Sequence, residues 1–71
     1  MKRYNIEILC TIYKEDEVIE RLTFKMPEAT RYEYMEKCDN MLYKWSKNNK
    51  VNFDDYWFGY RIISREEVKD A

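Results

Sequence analysis

The stretch Tyr4-Asn5-Ile6-Glu7-Ile8-Leu9-Cys10-Thr11-Ile12 decides the fold. Tyr4, Ile6, Ile8, Cys10 and Ile12 fall on one side of an extended chain, and Asn5, Glu7 and Thr11 fall on the other. That two-residue period, carried largely by β-branched residues, is the mark of a half-buried strand. We place this strand at residues 3–13.

On its C-terminal side the charged cluster Lys14-Glu15-Asp16-Glu17 interrupts the pattern. A second alternation follows, with Leu22, Phe24 and Met26 on one side and Arg21, Thr23 and Lys25 on the other, giving a strand over 18–26. The two strands read as a β-hairpin whose register is constrained by parity. A two-residue turn at Glu15-Asp16 pairs Ile12 with Ile19 and sets Arg21 beside Cys10, which mixes the faces. The expectation is therefore a loop of odd length, three or five residues.

Pro27 has no N–H to give to a ladder and is expected to end the second strand. From there the apolar spacing becomes helical. Met35, Cys38, Leu42 and Trp45 form a stripe flanked by Tyr34 and Met41, backed by Glu33, Glu36, Lys37, Asn40, Lys44 and Lys47. This predicts a helix over 28–48. Two start signals compete: Pro27 at the first helical position, and the capping-box spacing of Thr30 and Glu33. Asn48-Asn49 is the expected left-handed stop. Lys50–Asp55 is a connector anchored by Val51 and Phe53. Residues 56–64 form a third strand with Phe58, Tyr60 and Ile62 inward and Trp57, Gly59, Arg61 and Ile63 outward. A short tail, 65–71, follows, and Ser64 with Glu67 suggests a final helical turn.

Together these predict a single α+β domain, 1–71, of order ββαβ. A three-stranded antiparallel sheet of order 2-1-3 carries one amphipathic helix on one face. The strand with the most consistent apolar row takes the centre. The expected core is Ile6, Ile8, Cys10, Ile12, Leu22, Phe24, Met35, Cys38, Leu42, Trp45, Phe58, Tyr60 and Ile62.

Composition narrows the function. Of 71 residues, 45% are hydrophobic and 38% charged, and the net charge is −1. That balance describes a globular chain without the electrostatic footprint of a protein built mainly to coat nucleic acid or anionic lipid. There is no His, one Gly and one Pro. Histidine catalysis, Cys/His zinc fingers and glycine-rich phosphate loops are thereby excluded. The acidic groups Glu15-Asp16-Glu17, Asp54-Asp55 and Glu66-Glu67 lack metal-ligand spacing, and neighbours on a strand point to opposite faces. We expect no catalytic residues, no cofactor and no metal. Two cysteines make no disulfide framework, and both fall inward, where a free Cys acts as a small hydrophobe. No apolar run is long enough for a bilayer or a secretion signal, so the expected location is cytoplasmic. The bias toward Lys, Asn, Tyr and Ile, with only two Ala, is that of AT-rich coding sequence, as in low-GC bacteria and their phages.

One helix covers one sheet face, so the other face should be polar. It is only partly so. Leu9, Ile19, Trp57 and Ile63, joined by Tyr13, lie among Asn5, Glu7, Thr11, Arg21, Thr23, Lys25 and Arg61. Two coverings compete for this face: the segment Glu66–Ala71 with Val68, or another molecule. The preferred expectation is a non-enzymatic protein-interaction module that binds a protein partner through Leu9, Tyr13, Ile19, Trp57 and Ile63, most simply as a homodimer. The alternative is a weak single-stranded nucleic-acid binder that uses the aromatic residues with Arg21, Lys25 and Arg61, and with Lys44 and Lys47 at the helix end.

Overall fold

The computed structural model describes residues 1–69. Strand β1, Tyr4–Lys14, pairs with β2, Glu17–Ala29; helix α1, Arg31–Asn48, follows; a single 3-10 turn, Phe53–Asp55, leads into β3, Trp57–Glu67. The sheet order is β2-β1-β3, with both neighbours antiparallel to β1. This is the expected α+β layout. The long strands set the shape, a slab of 46 × 19 × 15 Å.

β1 is central because it alone buries one face completely: Ile6, Ile8, Cys10 and Ile12 are all buried. The hairpin register also puts Cys10 opposite Leu22 and Ile8 opposite Phe24, as parity requires. The device differs from the expected odd loop. The turn is the two-residue Glu15-Asp16, with Glu15 at φ 56°, and Lys14 pairs with Glu17. Parity is restored one step later. Tyr13 pairs with Val18 and Ile12 with Glu20, which leaves Ile19 as the extra residue of a β-bulge.

Pro27 does not end β2. The strand runs on to Ala29 through a second irregularity, since Tyr4 pairs with Ala29 and Ile6 with Met26. Proline is tolerated because β2 is an edge strand. Glu28 takes a left-handed φ of 48°, and its N–H donates to Asn5 Oδ1 at 3.1 Å. α1 accordingly starts three residues later than expected, on the Thr30 signal. Thr30 Oγ1 accepts from the Glu33 N–H, and Glu33 Oε1 accepts from the Thr30 N–H. At the other end Asn49 is not left-handed (φ −92°), and Lys50 takes that conformation instead, at φ 55°. The Asn49 side chain still helps to end the helix by donating to the Trp45 carbonyl.

α1 buries Tyr34, Cys38, Leu42, Trp45 and Ser46, while Met35 and Met41 are half-buried. Its stripe is thus turned slightly toward Tyr34, and Ala29 joins the core. Trp45 crosses edge-to-face with Tyr56 at 5.2 Å, and its indole N–H donates to Glu20. That bond accounts for a carboxylate opposite Ile12 on the helix side of the sheet.

α1 lies mainly over β1 and β2. Strands sit ~4.8 Å apart and a helix is ~10 Å wide, so one helix spans about two strands. β3 receives less cover. Phe58, which Phe53 stacks upon at 4.5 Å, and Ile62 are half-buried. Tyr60 points inward opposite Cys10, as expected, but it is 48% exposed and is not part of the core. Beyond Ile62 the strand carries a bulge, since Ile8 pairs with Ile62 and Glu7 with Ser64, leaving Ile63 over. β3 then continues to Glu67 opposite Tyr4, so the expected helical turn at Ser64 is replaced by strand. Val68 adds one more bond, N–H to the Arg3 carbonyl. Described as far as Lys69, the expected tail runs along the sheet edge beside β1; its last two residues lie outside the described residues.

Candidate functional site

The face of the sheet away from α1 carries no covering element among the described residues. Reading across the strands fixes its layout. Tyr13 lies between Val18 and Trp57, Thr11 between Arg21 and Gly59, Leu9 between Thr23 and Arg61, and Glu7 between Lys25 and Ser64. The face therefore has an aromatic end beside the hairpin, a mixed middle and a charged far end.

Trp57 is 74% exposed. It sits at the start of β3, where the 3-10 turn delivers the chain to the sheet. The turn is held by the Asn52 side chain, which accepts from the Asp54 N–H. Tyr13, half-buried, leans over Gly59: a Cβ there would lie 3.6 Å from the Tyr13 ring. That is ordinary van der Waals contact, so the ring packs directly on the backbone at Gly59. Leu9 is half-buried in the middle of the face.

The expected interface residues do not form one patch. Leu9, Tyr13 and Trp57 share the face. Ile19 and Ile63 are exposed, but each is the unpaired residue of a bulge, and the bulges lie toward opposite ends of the sheet. Along β1 the two bulges are ~17 Å apart at ~3.3 Å per residue. Val18 was missed. It extends the Tyr13–Trp57 row on the other side; unbroken alternation from Leu22 puts Val18 inward, and the bulge at Ile19 turns it to the open face.

Of the basic residues, Arg21, Lys25 and Arg61 do share the open face: Arg21 lies one row from the aromatic end, Arg61 two rows, and Lys25 three, at the charged end. Lys44 and Lys47 do not; they belong to α1, on the opposite layer, and Lys47 Nζ lies 4.7 Å over the Tyr43 ring. Among the described residues, neither Arg21, Lys25 nor Arg61 has a carboxylate within ion-pair distance.

The surface is shallow. At the charged end of the open face a depression of about 370 Å³ beside Pro27 is lined by Asn5, Glu7, Lys25, Ser64 and Glu66. A second, also about 370 Å³, opens beneath the uncovered part of β3, where Tyr4, Arg31, Tyr34, Tyr60 and Arg65 meet. Among the described residues no cluster of acidic or sulfur side chains suits a metal ion, and no helix is long and apolar enough to cross a membrane. The carboxyl of Glu33 is displaced. The backbone hydrogen bond from Thr30 holds it below its ordinary value, helped by the Thr30 side chain and by the charge of Arg3.

Comparison of the chain with protein-family models, curated proteins and solved structures finds no match.

Proposed function

We propose that this chain is a non-enzymatic protein-interaction module that associates with a second copy of itself through the open sheet face. The observation that carries the reading is the apolar row Val18–Tyr13–Trp57, two of its three members aromatic, laid across all three strands with Trp57 three-quarters exposed. Tryptophan and tyrosine on a flat, rigid support are the residue types that anchor protein interfaces. A domain this small also gains stability from a partner that shields such a row. A bacterial or phage protein of the cytoplasm, working by occupying or tethering its partner, fits the composition.

Size-exclusion chromatography with light scattering, at two protein and two salt concentrations, tests the proposal. A dimer whose population is indifferent to salt supports it. A monomer at the highest protein concentration overturns it.

A second reading has its own observation: Arg21, Lys25 and Arg61, with no ion pair among the described residues, stand on the same face as Tyr13 and Trp57. That is the combination by which sheet surfaces stack single-stranded bases. Binding of a labelled pyrimidine oligonucleotide that falls steeply with salt would favour this reading.

A further inference from the structure

Cys10, at the middle of β1, and Cys38, on the buried side of α1, are 0% and 2% exposed. Their Sγ atoms lie 2.9 Å apart across the interface between helix and sheet. This is roughly 1 Å longer than the ~2.05 Å of a sulfur–sulfur bond, and both cysteines sit on regular elements that hold them face to face. We propose that Cys10 and Cys38, free thiols in this structure, are placed to close an intramolecular disulfide that fastens α1 to the central strand when the chain meets an oxidising disulfide.

The chemistry balances with a low-molecular-weight disulfide as oxidant. One protein thiolate attacks a sulfur of the oxidant, forms a mixed disulfide and releases one small thiolate. The second protein thiolate then attacks the protein-side sulfur, closes the Cys10–Cys38 bond and releases the other. Two protein thiols give up two electrons, the oxidant becomes two thiols, and the two protons from the cysteines end on those thiols.

The surroundings decide when this happens. Burial, then the neighbouring Cys10, pushes the Cys38 thiol up to about 12, so the seated Cys38 offers little thiolate to a reagent in solution. The first attack belongs to moments when α1 is lifted from the sheet, during folding or local opening. Reseating of α1 then brings the second sulfur into place. Closing a ring between residues 28 apart restricts the unfolded chain and stabilises the fold.

The test is to unfold the full chain, refold it in a buffer of oxidised and reduced glutathione, and count thiols under denaturing conditions alongside the intact mass. The expected product has lost both thiols and two hydrogens, remains a single covalent chain, and melts on the order of 10 °C above the dithiol-reduced protein. In the Cys38→Ala variant the two-hydrogen loss disappears. Persistent free thiols, glutathione adducts on the parent chain or interchain disulfides would overturn the proposal. Because the product is read covalently, the result does not depend on whether the sheet face associates.

Discussion

At the scale of single residues, the start of α1 shows how a local motif overrides its neighbour. Pro27 and Thr30 both signal a helix start, but only Thr30 brings a partner at the right spacing, Glu33, and the reciprocal pair of bonds forms. Thr30→Ala should cost ~1 kcal/mol in urea unfolding. The charge on Glu33 adds a pH dependence whose direction is fixed. Its folded pKa lies below the ordinary value, so its stabilising effect is present above the unfolded pKa and is lost as pH falls through the folded one. The stability difference between the parent and Glu33→Gln should therefore narrow between about pH 6 and about pH 3. A difference that stays constant across that range would assign the effect to geometry alone. The capping pair was legible in the sequence because both partners lie within one helical turn. Glu20 as the acceptor for Trp45 was not, since it joins residues 25 apart and needs the tertiary fold.

At the scale of elements, the hairpin separates what alternation dictates from what it leaves open. The inward sets of β1 and β2 had to meet, and they do. Alternation does not say where the odd residue goes, because an odd loop and an even turn followed by a bulge have the same parity. The chain puts the extra residue at Ile19. The same holds for Ile63, whose outward assignment assumed an unbroken period along β3. Deleting Ile19 makes a sharp prediction: it is the residue without a partner, so with the two-residue turn kept Ile12 still faces Glu20, Cys10 still faces Leu22 and the inward row of β2 stays inward. The deletion variant should keep cooperative unfolding by circular dichroism. Loss of the cooperative transition would mean that the bulge itself is needed to hold the register.

At the scale of the whole molecule, one helix must serve three strands, and its width decides which residues remain outside. Tyr60 faces inward yet is half-exposed because α1 lies over β1 and β2, a limit that strand periodicity does not contain. The opposite face is bare for the simpler reason that no second helix stands among the described residues to cover it. Leu9, Tyr13 and Trp57 were assignable to that face from alternation, whereas their separation from Ile63 emerged only with the bulges. Stability and association should then be separable properties. Ile8, fully buried at the centre of β1, is part of the core, and Ile8→Ala should cost ~2–5 kcal/mol in unfolding. Trp57 has most of its surface in water, so Trp57→Ala should change monomer stability by no more than ~0.5 kcal/mol, as surface substitutions do. If the row is an interface, the same change should weaken self-association by ~2 kcal/mol, about thirtyfold in the dissociation constant. Sedimentation equilibrium and urea unfolding of the two variants give both quantities. Weakened association with unfolding unchanged would make Trp57 a contact between copies. A Trp57→Ala penalty as large as that of Ile8→Ala, with association untouched, would instead show that the tryptophan braces the sheet.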